Sequence, residues 1–291
     1  MTLPGNPKSP VVVGVDGSEQ SRRALTWATE YAAHHRVPLR LVYAADVPVD
    51  YGPGMAGPLY DLDALRKHGE SVVATAAAEA AAVAAPIADI AISTEAVLAS
   101  AVAVLRQRSE SARMIVVGSR GLGAFRRTLL GSVSTSIARH AHCPVAVIPE
   151  TTPPADGPVV VGVDGSPCSV DAIGIAFDEA AHRDARLIAV LAWSEFYRYE
   201  PRSVMQTEAE AVLSESLAGY AEKYPEVSIE RFVTEDRPTR AILEAGADAQ
   251  LIVVGSHGRG GFAGMTLGSV AQAVLHGAEC PLIIARPAAR S

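Results

Sequence analysis

Residues 11–18 read VVVGVDGS, and residues 159–166 read VVVGVDGS again. A short run of β-branched residues that breaks into Asp-Gly-Ser describes a buried strand entering a turn. Ser18 and Ser166 then stand where a helix N-cap belongs, and Pro167 takes the favoured first helical position in the second copy. Ala24, Leu25, Ala28 and Ala32 share one face of the helix that follows. Ala172, Ile173, Ala176 and Ala180 repeat that face.

Further matches lie outward from this pair. IVVGSRG (115–121) returns as IVVGSHG (252–258), LLGSVS (129–134) as TLGSVA (266–271), and HCPVAVI (142–148) as ECPLIIA (279–285). The same order with matched spacing is an internal duplication. The copies occupy 1–150 and 151–291, joined by the Pro-rich stretch ETTPPADGP, which suits a domain boundary. The offset between copies is 148 at the first match and 137 at the second, so the first copy has the longer middle. The extra residues are assigned to the Gly/Pro-rich loop DVPVDYGPGMAGP (46–58), whose counterpart SEFYRYEPRS (194–203) is shorter and aromatic. Loops of this kind sit where a lid or a partner surface can form.

Periodicity fills in the rest. LRLVYA (39–44) and LIAVLA (187–192) are second strands, and longer helices follow over about 62–85 and 204–223. DIAISTEA and EVSIERFV supply third strands, helices cover about 99–109 and 237–246, and MIVVGS and LIVVGS are fourth strands. A last helix starts near Gly131 or Gly268, and VAVI and LIIA close the units. Strands alternating with crossover helices predict an α/β fold of two tandem units, each a five-stranded parallel sheet flanked by helices. Ligands of such sheets bind beyond the carboxyl ends of the strands, where the GVDG and VVGS turns lie.

Composition narrows the class. In 291 residues, 49% hydrophobic content with 20% charge fills a core and excludes a disordered chain, while 5% aromatics makes that core aliphatic. The net charge is −7, divided as +1 and −8 between the copies, so neither is a basic nucleic-acid surface; a local anion site remains open. Cys143, Cys168 and Cys280 form no CxxC and no disulfide framework. The N-terminal MTLPGNPKSP lacks a signal-peptide pattern, and no run of 18 apolar residues occurs. The expectation is a cytoplasmic protein without a membrane span.

The chemistry sits in the glycines. Gly118-x-x-Gly121, nine residues, Gly131-Ser132 is matched by Gly255-x-x-Gly258, nine residues, Gly268-Ser269. Glycines admit close backbone approach, and free amides at a helix start with a serine hydroxyl beside them cradle an anion. Asp16 and Asp164, at the ends of the first strands, are placed to meet a ribose hydroxyl or a phosphate-bound cation. Tight packing alone is the competing reading of each glycine turn, and a helix-start role that of each aspartate. There is no GxxxxGK[ST], and Lys8, Lys67 and Lys223 all lie outside the glycine turns. GxGxxG does not follow the first strand, which argues against hydride transfer.

This constellation resembles the ATP-binding branch of the universal stress protein family, over nearly the whole chain and twice. The tandem arrangement and Ala/Arg-rich composition are similar to actinobacterial, especially mycobacterial, members. The resemblance implies ATP, two per chain, with Mg²⁺ as a candidate companion. It implies that Asp16, Gly17 and Ser18, with Asp164, Gly165 and Ser166, approach the nucleotide. Val42 and Tyr43, with Val190 and Leu191, would line the adenine side. Gly118, Arg120, Gly121, Gly131, Ser132 and Val133, with Gly255, His257, Gly258, Gly268, Ser269 and Val270, would hold ribose and phosphates. It also implies homodimers, with VAVI and LIIA as edges used within the chain, between chains, or both.

The copies differ where charge matters. Arg120 is matched by His257, and Arg126 and Arg127 by Ala263 and Gly264, so any difference in phosphate affinity should favour the first unit. Those arginines read equally well as solvated surface. His34 and His182 match but fall at helix ends, and His140, His142 and Cys143 against His276 and Cys280 suggest packing before a strand more than a metal centre. No nucleophile–base pair repeats. The leading expectation is a nucleotide-dependent stress or growth regulator with little or no turnover. A slow Mg²⁺-dependent ATPase stands second, and a nucleotide-free interaction scaffold third.

Overall fold

The computed structural model describes residues 9–46, 61–121, 130–194, 201–260 and 266–286. Most of the loop at 46–58 and of the aromatic stretch at 194–203 lies outside these residues, as do Arg126, Arg127, Ala263 and Gly264. The described residues fall into two compact units, one ending at Ala141 and the other beginning at His142.

The N-terminal unit runs β1 (Val11–Gly14), α1 (Glu19–His34), β2 (Leu39–Ala44), α2 (Leu62–Ala84), β3 (Ile92–Val97), α3 (Ala101–Arg108), β4 (Met114–Gly118) and α4 (Ser132–His140). Its strands lie in the order β3-β2-β1-β4 and pair in parallel, with Val11 facing Leu39 on one side and Met114 on the other. Helices α1 and α2 pack together on one face of the sheet, and α3 and α4 pack together with α3 against β1 and β2. The chain therefore reverses its direction of travel between β1 and β4, which opens a crevice at their carboxyl ends.

The C-terminal unit opens with β5 (Val145–Ile148) and continues through β6 (Val159–Gly162), α5 (Pro167–His182), β7 (Leu187–Trp193), α6 (Arg202–Leu217), α7 (Tyr220–Lys223), β8 (Ile229–Glu235), α8 (Pro238–Ala245), β9 (Leu251–Gly255), α9 (Ser269–Gly277) and β10 (Leu282–Ala285). Its order is β5-β10-β9-β6-β7-β8. The β6, β7, β8, β9 and β10 pairings are parallel, and β5 joins β10 antiparallel with Ala146 opposite Ile283. VAVI and LIIA thus meet each other in the chain, and β10 is bonded on both edges. The sequence repeat divides at 150/151, whereas the contacts divide at 141/142, because β5 makes these bonds to β10.

The core is aliphatic, as the low aromatic content requires. Val11, Val13, Leu39, Leu41, Val159, Val161, Leu187 and Leu251 are all completely buried. One expected element differs. The helix read over 204–223 ends at Leu217, because Gly219 takes a left-handed φ of +78°, and α7 restarts at Tyr220. The restart lays the Tyr220 ring on Phe177, with centroids 5.5 Å apart. His34 and His182 are the last residues of α1 and α5, at the edge of the sheet away from the glycine turns. Cys143 and Cys280 are buried, and burial pushes the Cys280 thiol up to about 12. Among the described residues, no helix is long and apolar enough to cross a membrane.

Candidate functional site

The turns after β1 and β6 are built alike. Asp16 Oδ1 accepts from the Ser18 amide at 2.9 Å, and Asp164 Oδ1 accepts from the Ser166 amide at 2.9 Å. Between them Gly17 and Gly165 take φ of +84° and +75°, which a side chain would resist. Ser18 Oγ then caps α1 by accepting from the Ser21 amide at 3.1 Å, and Ser166 Oγ caps α5 through the Ser169 amide at 3.3 Å. The hydroxyls of Ser21 and Ser169 return the contact by accepting from the Asp16 and Asp164 amides at 3.3 and 3.4 Å. Each aspartate is thereby fixed at the rim of the sheet.

The glycine loops close on those aspartates. A Cβ on Gly121 would stand 2.5 Å from Asp16 Oδ2, and one on Gly258 would stand 2.4 Å from Asp164 Oδ2. In the second loop the Arg259 amide also donates to Asp164 Oδ2, at 3.0 Å. The loops then lead into α4 and α9, pinned by Gly131 N donating to the Ser119 carbonyl and Gly268 N to the Ser256 carbonyl, both at 2.7 Å. Gly131 and Gly268 are the N-caps of α4 and α9 and supply no side-chain acceptor. The helix starts in each unit therefore contrast. The first-turn amides of α1 and α5 are capped by serine, whereas those of α4 and α9 take no side-chain cap and face a cleft with the positive end of the helix dipole behind them.

The N-terminal cleft measures about 740 Å³. Val15, Val42, Ala44, Leu105 and Val117 make an apolar wall, and Asp16, Gly118, Arg120, Gly121, Gly131, Ser132 and Val133 make the polar one. The C-terminal cleft measures about 310 Å³, with Val163, Val190, Ala192, Ile242 and Val254 facing Asp164, Gly255, His257, Gly258, Gly268, Ser269 and Val270. His257 Nδ1 lies 3.2 Å from Ser256 Oγ, and the His257 carbonyl accepts from Ser166 Oγ at 3.2 Å.

Six residues named from the sequence stand outside the cleft linings: Gly17, Ser18, Gly165, Ser166, Tyr43 and Leu191. The first four build the turn and cap rather than the wall. Tyr43 and Leu191 follow Val42 and Val190 on their strands, and the pleat sends neighbours to opposite faces. Tyr43 accordingly meets α2, in edge contact with His68. Conversely, Ser21 and Ser169, Leu105 and Ile242, and Arg259 line the clefts without having been named. The first two pairs match at the offsets of the repeat, and that signal could have found them. Arg259 has no such signal, since its counterpart in the first copy is Leu122.

These features define a tandem, doubly wound α/β protein with one cleft per unit at the switch point of its sheet. The sequence profile of the universal stress protein family matches residues 9–149 and 157–286. Universal stress protein Rv2005c of Mycobacterium tuberculosis is 44% identical over 284 residues, which cover 95% of this chain and 96% of that protein. Universal stress protein Rv2623 of the same organism is 39% identical over 290 residues, covering 97% of this chain and 98% of that protein. Among solved structures, a universal stress protein from Archaeoglobus fulgidus superposes with a TM-score of 0.69 at 21% identity, covering 97% of this chain and 98% of the other. The chain belongs to the universal stress protein family.

Proposed function

We propose that each unit binds one ATP, two per chain, and that the protein is a cytoplasmic, nucleotide-dependent regulator of stress or growth with little or no turnover. The observation that carries this reading is the pairing, in both units, of an apolar wall with an uncapped helix start. Val42 with Leu105, and Val190 with Ile242, offer apolar surface to a base. The amides of Ser132 and Val133, and of Ser269 and Val270, offer donors to phosphates without any lysine. Both volumes fall within the range of small-molecule sites, about 300–1,000 Å³.

Asp16 and Asp164 fit a ribose hydroxyl or an Mg²⁺ ion that screens the phosphate charge. Each Asp164 oxygen already accepts one backbone amide, from Ser166 or Arg259, and keeps lone-pair capacity for a further partner. A carboxylate so engaged is a better binder than a general base, and His257 has no histidine counterpart in the first unit. Binding therefore fits better than hydrolysis. The regulatory role rests on kinship with mycobacterial proteins named as universal stress proteins. A homodimer belongs to the same reading and must use surface other than the edges of β10, both of which are bonded within the chain.

Denaturing the purified protein should release adenine nucleotide, and nucleotide-free protein should take up close to two equivalents of ATP. An absence of bound nucleotide, with no heat of binding, would leave the scaffold reading. Rapid phosphate release with Mg²⁺, abolished by Asp16→Ala with Asp164→Ala, would establish the ATPase instead.

A further inference from the structure

The two clefts differ in extent as well as in charge. The N-terminal cleft continues down α4, past its first turn, along Thr135, Ser136, Arg139 and His140. The matching residues of α9, which are Gln272, Ala273, His276 and Gly277, are absent from the lining of the C-terminal cleft. The helix packing at this end differs as well. Leu243 of α8 lies so close to Gly277 that a Cβ there would stand 2.7 Å from Leu243 Cδ1. In the first unit those two positions are Arg106 and His140. An apolar contact in one unit stands where the other has two basic residues.

Ser132, Ser136 and Arg139 are spaced i, i+4, i+7 and so share one stripe of α4, with His140 beside its end. Ser132 and Arg139 are about 10 Å apart along the helix axis. The stripe therefore leads from the open amides, past two hydroxyls, to a guanidinium and an imidazole.

We infer that the N-terminal cleft carries a second anion subsite at Arg139 and His140. It accepts an adenine nucleotide whose phosphate chain runs beyond the third phosphate, a nucleoside or dinucleoside tetraphosphate. The C-terminal cleft, whose lining lacks the matching stretch of α9, takes ATP alone. The inference rests on the ATP reading of the same cleft.

The test is calorimetric titration of the nucleotide-free full chain with ATP, adenosine tetraphosphate and diadenosine tetraphosphate at fixed Mg²⁺. One equivalent of a tetraphosphate should bind about tenfold more tightly than ATP, the gain expected of one charge-assisted contact. Arg139→Ala with His140→Ala should remove that gain and leave ATP affinity within about twofold, while Arg139→Lys keeps part of it. Either tetraphosphate reaching this mark supports the subsite, and the two arms show whether the second nucleoside adds to the chain. Tetraphosphates that bind no better than ATP would overturn it. So would a gain that survives the double substitution, or a loss shared equally by ATP, which is the result if these bases only complement the end of α4. If ATP itself fails to bind at either cleft, the ATP reading fails first and the subsite falls with it.

Discussion

The two clefts are copies of one backbone device fitted with different side chains. Gly14 and Gly162, Asp16 and Asp164, Val42 and Val190, Gly121 and Gly258, and Ser132 and Ser269 occupy matching places in the two linings. Arg120 corresponds to His257, Ser134 to Ala271, and Ala101 to Pro238. The glycines and helix-start amides match between the two linings, whereas the basic side chain beside them does not. Arg259, two residues beyond His257, lines the C-terminal cleft, and its amide holds Asp164. Its guanidinium lies over the turn, where a Cβ on Gly165 would stand 2.3 Å from Nη2. The sequence comparison of Arg120 with His257, and of Arg126 and Arg127 with Ala263 and Gly264, points to a weaker second site without weighing Arg259. With Arg259 in place, each cleft is lined by a guanidinium from its glycine loop, Arg120 in one and Arg259 in the other.

The strongest way to separate the clefts is to add one carbon. Gly121→Ala and Gly258→Ala each place a Cβ about 2.5 Å from the Oδ2 of a carboxylate whose Oδ1 is held by a backbone amide. Overpacking of that kind costs about 2–3 kcal/mol. The reason differs from the one the sequence suggests: the glycine makes room for the aspartate rather than for the ligand alone. Each substitution should abolish ATP uptake in its own cleft and leave one equivalent bound in the other. Two equivalents in either variant would show that the loop shifts freely and that the aspartate contact is dispensable.

Removing the guanidiniums tests this pairing. Arg120→Ala should weaken ATP in the N-terminal cleft about tenfold, and Arg259→Ala should do the same in the C-terminal cleft, each losing a charge-assisted contact of about 1.5 kcal/mol. His257→Ala should cost less than Arg259→Ala. The reverse ranking would mean that the histidine inherited the phosphate role and that Arg259 only braces the turn.

Much of this was legible in the letters. The VVVGVDGS repeat located β1 and β6, Ser18 and Ser166 were read correctly as caps, and the glycines were placed at the carboxyl edge. Each of these is a local signal tied to a backbone requirement. What escaped depends on direction and on contacts distant in sequence. Val42 and Tyr43 are neighbours on β2 and alternate across the sheet, so Val42 lines the cleft and Tyr43 meets α2, a distinction that rests on the period of two. The break at Gly219 was hidden inside a helical pattern, and Leu243 against Gly277 joins two helices whose packing no single stretch announces. Arg259 was invisible because the comparison of copies looks for matches, and it has none.

A smaller effect lies at the start of α4. Ser134 is buried, and its hydroxyl donates to the Ser119 carbonyl at 2.9 Å and also lies 3.0 Å from the Gly131 carbonyl. The second unit has Ala271 there. Ser134→Ala copies the second unit into the first and should lower stability by about 1 kcal/mol, read as a shifted urea midpoint. Since the amides that face the cleft are untouched, ATP affinity should hold. A large loss of affinity would show that the Ser119 contact, rather than the Gly131 amide bond, sets the loop.

The smallest contrast is electrostatic and lies away from both clefts. Glu95 on β3 accepts from Arg108 Nε of α3 at 3.0 Å and from its Nη2, and both side chains are about a quarter exposed. The hydrogen bond from Arg108 holds the Glu95 carboxyl below its ordinary value, against a rise from burial and with help from the Arg108 and Arg40 charges. The matching positions in the second unit are Phe232 and Ala245, which form no ion pair. A depressed carboxyl stabilises the fold above its unfolded pKa, and that contribution is lost as the pH falls through the folded one. Water screens so exposed a pair, so the effect should be at most about 1 kcal/mol. Trp27 lies in the N-terminal unit and Trp193 in the C-terminal one, so each single-tryptophan variant reports on one unit. Between about pH 6 and pH 3.5, the urea midpoint followed by Trp27 should fall further in the parent than in Glu95→Gln, while the Trp193 signal is indifferent to that substitution. Equal slopes with and without Glu95 would mean that the pair contributes nothing, and that the acid sensitivity of the two units has the same origin.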